Sequence, residues 1–254
     1  MIPIRIYGAD LRRVPAGACS LLLHADEIRR AEAIRNPSAR DEFVKTRALL
    51  RLALADNATG LKAKDFVFST GENGKPYLCG DAVPDFNVSH SGDMALIAVA
   101  PLPVGIDIEL QNAGIDYLGV ARAVFSPSER QTLQNLAPAE LCQRFFSLWT
   151  RKEAYLKATG CGFAAHLDQI STVDRDRPIQ DHSRPSCSEN WYAFDLPVPE
   201  TYKGALVTKT DNIDISIQDI SGIAVESGRL IFQSPAHTVR REKPVRSPIF
   251  AEMR

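Results

Sequence analysis

The chain of 254 residues lacks the features that would assign it to several large classes of protein. It has only five cysteines and no C-x-x-C pair, which argues against a disulfide framework and against a zinc site. No segment approaches the ~20 apolar residues of a membrane span. A proline, an arginine and an aspartate interrupt residues 1–11, unlike the apolar run of a signal peptide. We therefore expect a soluble, cytoplasmic protein with reduced thiols at Cys19, Cys79, Cys142, Cys161 and Cys187.

The sequence also lacks an excess of either charge. Lysine and arginine number 30 and aspartate and glutamate 31, so the formal net charge is −1. Without a general basic field, non-specific binding of nucleic acid is not expected, and a polyanionic ligand would need a local basic pocket. Apolar residues make up 44% of the chain, which is typical of a globular protein that can bury a sizeable core.

The order of the elements that the sequence predicts indicates an α+β fold. Helical patterns cover 26–35 and 39–55, with Ser38 as the expected cap of the second helix, and strand patterns follow at 66–68, 86–90, 94–100 and 104–110. The second half again begins with helices, at 128–136 and 141–159, and continues with strands at 191–196, 205–209, 213–217 and 230–232. Gly160 is in the usual position to end the longer helix.

This repeated order suggests two similar lobes in one chain, each with helices packed on an antiparallel sheet. We place an N-terminal lobe at 1–103 and a C-terminal lobe at 104–233. Residues 234–254 are mostly basic and broken by prolines, so we expect a mobile tail.

A strand with two acidic residues is the first candidate for chemistry. Side chains alternate along a strand, so Asp107 and Glu109 share one face, about 6–7 Å apart. Neighbouring carboxylates raise each other's pKa unless a cation neutralises them, and Mg²⁺ prefers such oxygen ligands. The alternative is an edge strand whose polar face meets water.

The second candidate lies on the long helix. Trp149, Glu153 and Lys157 are spaced by four residues and share one face, next to a strongly apolar and aromatic segment. Glu153 and Lys157 are therefore expected at the edge of a buried stripe. The alternative is an ordinary surface pair of opposite charges.

The remaining candidates lie in the first half of the chain. Ser89 and His90 end a strand and could bind a phosphate there, although a lone histidine in a strand is more often structural. They are not a hydrolase pair, because adjacent strand residues face opposite ways. Arg47 lies on an apolar helix stripe and needs an anion partner or access to water, and Lys75 lies in a tight loop. A solvated charged face is the alternative for both.

Taken together, these segments resemble the Sfp-type 4'-phosphopantetheinyl transferases. The resemblance rests on five stretches in the family's order and spacing: N-G-K-P at 73–76, F-N-V-S-H-S-G at 86–92, V-G-I-D-I-E at 104–109, F-S with Glu129 at 125–129, and W-T-R-K-E-A with Lys157 at 149–157. The last stretch is similar to the family branch with W-x-x-K-E-A. A weaker likeness extends over residues 27–207.

The resemblance implies a magnesium site and two catalytic residues. Asp107, Glu109 and Glu153 would be the metal ligands, and the pyrophosphate of coenzyme A would complete the shell. Glu153 would also take the proton from the carrier serine, directly or through water. Lys157 would neutralise the pyrophosphate and assist departure of the leaving group.

The resemblance also implies a binding site for coenzyme A. Ser89 and His90 would contact phosphate, Arg47 would hold the 3'-phosphate, and Lys75 would lie in the loop that lines the adenine nucleotide. Glu129 matches an acidic group near the site in some members.

In one respect the sequence departs from the family. Some members have lysines ahead of the Arg47 helix for the 3'-phosphate, whereas this region has Arg29, Arg30 and Arg35, of which none is assigned.

The family fold implies two pseudo-symmetric lobes with coenzyme A between them, a monomer, and an acyl or peptidyl carrier protein as partner. Mn²⁺ could replace Mg²⁺.

Three other functions remain open from the sequence. A non-catalytic module could bind coenzyme A or a carrier protein without transfer. A magnesium-dependent phosphodiesterase could use the same carboxylates to hydrolyse coenzyme A. A structural protein with an incidental D-x-E pattern would bind no coenzyme A, so analysis of the products separates these possibilities.

Overall fold

The computed structural model describes residues 1–58, 61–71, 74–80, 83–162, 166–174, 176–184, 189–226 and 229–232, and gives only the backbone at 223–226 and 229–232. Asn73, Cys187 and the predicted mobile tail at 234–254 lie outside the described residues. Within them, no helix is long and apolar enough to cross a membrane.

Helices and strands alternate in blocks along the described chain. The helices are α1 (Ala16–Cys19), α2 (Ala25–Ala33), α3 (Pro37–Asn57), α4 (Tyr117–Val124), α5 (Pro127–Gln131) and α6 (Pro138–Thr159). The strands are β1 (Ile2–Asp10), β2 (Phe68–Thr70), β3 (Pro76–Leu78), β4 (Asp85–Ser91), β5 (Met94–Ala100), β6 (Val104–Leu110), β7 (Ile170–Ser171), β8 (Gln180–Asp181), β9 (Tyr192–Asp195), β10 (Tyr202–Thr208), β11 (Ile213–Asp219), β12 (Ile223–Glu226) and β13 (Arg229–Phe232).

Two sheets form the centre of the molecule. A four-stranded sheet has the order β11-β1-β5-β4, and a three-stranded antiparallel sheet has the order β6-β10-β9. Two-stranded ribbons join β2 with β3, β7 with β8, and β12 with β13. The predicted α+β class is confirmed.

The four-stranded sheet corrects one part of the expected architecture. β11 belongs to the second half of the sequence, yet it pairs with β1, and the two strands run parallel. The sheet is therefore not wholly antiparallel, and it contains residues from both halves of the chain. The physical reason is an apolar face that β1 and β11 share, since Ile4 and Ile6 lie in one core cluster with Ile215. The boundaries 1–103 and 104–233 remain predictions.

The two sheets and two long helices stack in four layers. α3 covers one face of the four-stranded sheet, where Leu50 and Leu54 pack with Phe86 and Ile97. The other face of that sheet packs on the three-stranded sheet, which α6 covers from its far side. Because β5 lies between α3 and the second sheet, its residues from Ala95 to Ala100 are all buried.

The N-terminal cap of α3 differs from the predicted one, whereas the C-terminal end of α6 does not. The side chain of Asn36, not Ser38, caps α3 by accepting hydrogen bonds from two backbone N–H groups, and Pro37 is the first helical residue. Gly160 ends α6 as predicted, with the left-handed φ of 68°.

Candidate active site

The candidate site lies where β4, β6 and α6 meet. Ile106 and Ile108 of β6 point into the core between the sheets, so the intervening Asp107 and Glu109 point to the opposite face. There they line a pocket of about 400 Å³. The residues that line it are Val88, Ser89, His90, Asp107, Glu109, Trp149, Glu153 and Lys157. The structure thus brings the predicted acidic and basic residues of two distant segments together.

Gly105 allows this close approach of strand and helix. A Cβ atom added at Gly105 would lie 2.0 Å from the carbonyl oxygen of Ala154 and 2.5 Å from the backbone nitrogen of Ala158. Any larger residue would therefore separate the backbones of β6 and α6. No role was predicted for Gly105, although a glycine inside a strand is a signal of close backbone approach.

Lys157 of α6 contacts Asp107 of β6 directly. Its Nζ donates to Asp107 Oδ1 at 2.6 Å and to Ser89 Oγ at 2.9 Å, while Ser89 Oγ donates to the same carboxylate oxygen at 2.7 Å. The other oxygen of Asp107, Oδ2, is buried and has no hydrogen-bond partner among the described residues. Burial raises the pKa of Asp107, and the charge of Lys157 acts in the opposite direction.

Glu153 faces the same pocket in a largely desolvated position. Only 8% of the residue is exposed, and burial, followed by the negative charge of Asp107, raises its pKa to about 7. Lys157 lowers the pKa of Glu153 by a smaller amount. A cation in the pocket would favour the ionised form of both carboxylates.

The donors of this pocket fit a hard divalent cation. Among the residues that the structure describes, no three Asp, Glu, His or Cys side chains are already gathered closely enough to hold a metal ion. However, the described residues offer no hydrogen-bond partner to the buried Asp107 Oδ2, and Glu109 and Glu153 line the same pocket. Mg²⁺ typically binds one or two carboxylates and takes its remaining ligands from water or a substrate phosphate.

A second pocket, with basic and aromatic side chains, continues from the first. Val88 and His90 line both, and Arg30, Phe43 and Arg47 line the second alone. The guanidinium of Arg47 lies 5.7 Å from the Phe43 ring centre. Among the described residues, its buried Nη1 has no hydrogen-bond partner. The Nε of Arg47 lies 3.3 Å from a carboxylate oxygen of Glu27. Burial lowers the pKa of Arg47, and the negative charge of Glu27 opposes that effect.

The other predicted ligand-binding residues already have protein partners. Nδ1 of His90 lies 3.0 Å from a carboxylate oxygen of Glu42. Lys75 lines a third pocket, which also includes Glu153 and Lys157, and its Nζ donates to Asp85 at 3.2 Å and to the carbonyl of Val104 at 3.3 Å.

The structure separates the arginines that the sequence left unassigned. Arg30 lines the basic pocket beside Arg47. Arg29 instead pairs with Asp26 on the exposed side of α2.

Two buried cations next to Glu153, Arg151 and Lys152, were not predicted from the sequence. Arg151 donates to both carboxylate oxygens of Asp195 at 2.8 and 2.7 Å, and Lys152 lies 2.8 Å from a carboxylate oxygen of Glu129. Glu129 is fully buried, so it anchors α6 and does not line the pocket. Two charged residues directly before Glu153, in an otherwise apolar part of the helix, could have indicated these buried pairs.

Comparison with known proteins identifies relatives of this chain. A family model described as the 4'-phosphopantetheinyl transferase superfamily matches residues 103–207. A 4'-phosphopantetheinyl transferase of Bacillus subtilis is 32% identical over 209 residues, which are 80% of this chain and 91% of that protein. The 4'-phosphopantetheinyl transferase Sfp of Bacillus subtilis strain 168 is 39% identical over 113 residues, 44% of this chain and 49% of that protein.

Among solved structures, the crystal structure of Thermotoga maritima holo-[acyl-carrier-protein] synthase is 24% identical and covers 50% of this chain and 76% of that one, with a TM-score of 0.30. The sequence matches are the stronger finding, because one of them spans nearly the whole of a curated relative. The chain belongs to the Sfp-type 4'-phosphopantetheinyl transferase family of enzymes.

Proposed function

We propose that the protein transfers the 4'-phosphopantetheine group of coenzyme A to a serine of an apo carrier protein, in a magnesium-dependent reaction that releases 3',5'-ADP. The observation that carries this proposal is the contact of Lys157 with Asp107, beside Glu153, in a pocket that continues into a basic one. The two pockets together offer places for a metal-bound pyrophosphate and for a further phosphate.

The basic pocket is suited to the nucleotide end of coenzyme A. Within the described part of the chain the buried Nη1 of Arg47 has no hydrogen-bond partner, and a phosphate oxygen would satisfy it. Arg30 also lines this pocket and would add positive charge, whereas His90 pairs there with Glu42. This assignment makes Arg47 and Arg30 the ligands of the 3'-phosphate, with Lys75 near the adenine nucleotide.

The carboxylate pocket is suited to the transfer step. Asp107, Glu109 and Glu153 would hold Mg²⁺, which when bound supplies positive charge to the pyrophosphate. Lys157 would neutralise the charge that develops on the departing 3',5'-ADP, since its side chain is 30% exposed towards the pocket. Positioning and charge stabilisation supply most of the catalysis in phosphoryl transfer.

Glu153 is the proposed base. It would accept the proton of the carrier serine, directly or through water, as the serine oxygen attacks the phosphorus that bears the pantetheine arm. The bond from that phosphorus to the bridging oxygen breaks, and this oxygen leaves as part of 3',5'-ADP.

The partners, the alternative metal ion and the oligomeric state are proposed from the family resemblance. Carrier proteins of fatty-acid, polyketide or nonribosomal-peptide synthesis are the proposed partners, Mn²⁺ is a proposed substitute for Mg²⁺, and the enzyme is proposed to act as a cytoplasmic monomer. None of these roles requires nucleic acid or a membrane.

Intact-protein mass spectrometry tests the proposed reaction. An apo carrier protein incubated with coenzyme A, Mg²⁺ and the enzyme is expected to gain the mass of one phosphopantetheine, and EDTA is expected to prevent the gain. Glu153→Gln and Lys157→Gln should fold normally and transfer at least about 100-fold more slowly, because each removes charge from the transition state. Glu140→Gln is the matched control on the same helix, since glutamine can keep the capping contact to Ala137.

Two results would contradict the proposal in different ways. Coenzyme A left intact across a panel of carrier proteins would favour the binding module. Coenzyme A cleaved without modification of any carrier would favour the hydrolase.

A further inference from the structure

β4 and β6 face each other across the junction of the two sheets without backbone pairing. Each is the edge strand of its own sheet. Alternate side chains of β4 instead accept hydrogen bonds from alternate backbone N–H groups of β6. The four contacts are Asp85 with Val104 at 2.9 Å, Asn87 with Ile106 at 2.9 Å, Ser89 with Ile108 at 3.3 Å and Ser91 with Leu110 at 3.1 Å. We call these four β4 side chains the side-chain zipper.

The zipper has a fixed register with a physical cause. All four contacts join residues 19 positions apart, and they repeat every second residue because strand side chains alternate. The N–H groups on this edge of β6 need partners once the sheets pack together. The register therefore places each zipper side chain beside a definite residue of β6.

The two serines of the zipper also contact the acidic side chains of β6. Ser89 Oγ donates to Asp107, and Ser91 Oγ donates to Glu109 Oε2 at 2.7 Å. A serine hydroxyl has one hydrogen to donate. Because the oxygen of Ser91 accepts from Leu110 while its hydrogen serves Glu109, the hydroxyl is held in one orientation.

We infer that Ser91 is a positioning residue for Glu109 and not a ligand of the substrate. Its hydroxyl occupies one carboxylate oxygen of Glu109, and the other oxygen would bind the cation. Ser89 holds Asp107 in the same way, and its hydroxyl is further engaged by Lys157. The inference rests on the proposed function, because it assigns Ser91 to the metal site proposed there. Groups that orient metal ligands typically change metal affinity or activity 10–100-fold when they are removed.

Mn²⁺ binding to the full-length protein, followed by electron paramagnetic resonance in the presence of 3',5'-ADP, tests this inference without turnover. Ser91→Ala removes both contacts and is expected to weaken Mn²⁺ binding by about 10-fold or more. Ser91→Thr keeps a hydroxyl and is expected to retain affinity close to that of the unmodified protein. Ser128→Ala is the control, because the exposed Ser128 contacts other serine hydroxyls away from the pocket.

The outcomes separate the inference from the function on which it rests. Unchanged Mn²⁺ affinity in Ser91→Ala, with normal binding by the unmodified protein, would overturn the positioning role alone. Equal losses of Mn²⁺ affinity in the alanine and threonine variants, together with a lower melting temperature, would show that Ser91 has only a structural role. That result would also overturn the positioning role. An unmodified protein that binds no Mn²⁺ would overturn the metal site itself, and the inference with it.

Discussion

At the residue scale, the charged side chains around Glu153 divide between two tasks. Arg151 and Lys152 are each 1% exposed, and they pair with the half-buried Asp195 and the buried Glu129 on other segments instead of lining the pocket. Glu153 and Lys157, four residues apart on one face of α6, line the pocket. The buried pairs fix the rotation of the helix about its axis, and this rotation decides which two side chains reach the substrate.

The pair of Lys152 and Glu129 gives a test of this anchoring. Lys152→Met is expected to lower the free energy of unfolding by about 3–5 kcal/mol, because it leaves the Glu129 carboxylate buried without its counter-charge. Urea unfolding measures the change. The double variant Lys152→Met with Glu129→Gln should recover much of the loss, since no uncompensated charge remains.

An exposed pair provides the control for that measurement. Lys209 and Glu189 lie on the surface, so Lys209→Met should change the free energy of unfolding by no more than about 1 kcal/mol. A Lys152→Met variant as stable as this control would contradict the anchoring role.

The sequence predicts which residues share a face, but not which residues they contact. Alternation in β6 and the spacing of four in α6 grouped Asp107 with Glu109 and Glu153 with Lys157 correctly. The contact of Ser91 with Glu109 spans 18 residues and depends on the packing of two sheets, which no local pattern encodes. The ion pairs of Arg47 with Glu27 and of Lys75 with Asp85 were missed for the same reason.

At the scale of elements, the contact between β6 and α6 determines the site. Gly105 lets the two backbones touch, which brings Asp107 within hydrogen-bonding distance of Lys157. A side chain at this position would displace the helix that carries Glu153 and Lys157. The geometry of the pocket therefore depends on a residue that takes no part in its chemistry.

Gly105→Ala tests this dependence. Overpacking at a tight contact typically costs about 1–3 kcal/mol, and the backbone atoms at 2.0 and 2.5 Å place this variant at or above the upper end. We expect a lower melting temperature and a loss of transfer activity larger than the loss of folded protein. Gly17→Ala, in α1 with open space around it, should be neutral or stabilising. Normal stability and transfer in Gly105→Ala would contradict the close contact.

Some helices and strands were predicted with the correct bounds and others were not, and local sequence features explain the difference. β5 and β6 have the predicted bounds, because turn residues bracket clear strand patterns. β1 was missed, since Pro3 and Arg5 interrupt its apolar residues and its partners lie in β5 and β11. The helix expected at 128–136 ends as α5 at Gln131, and Asn135 adopts a left-handed φ of 59° that a helix cannot contain.

At the scale of the whole molecule, the two halves of the chain are interleaved. β11 completes the sheet that contains β1, and the inner face of that sheet buries Ile4, Ile6 and Leu96 against the three-stranded sheet. The side-chain zipper adds a polar connection beside this apolar one. The halves therefore share a core, and we expect the protein to unfold in one cooperative transition.

Expression of residues 1–103 alone tests this interleaving. The fragment would lack β11, leave β1 as an open sheet edge and expose the apolar face that packs on the second sheet, so we expect an aggregating or unfolded product. Co-expression with residues 104–254 should restore a folded complex, because it resupplies both β11 and the covering sheet. Circular dichroism and urea unfolding distinguish these states. A cooperative unfolding transition of 1–103 by itself would instead show that the N-terminal lobe is an independent folding unit, and that β11 is an addition to a sheet already stable without it.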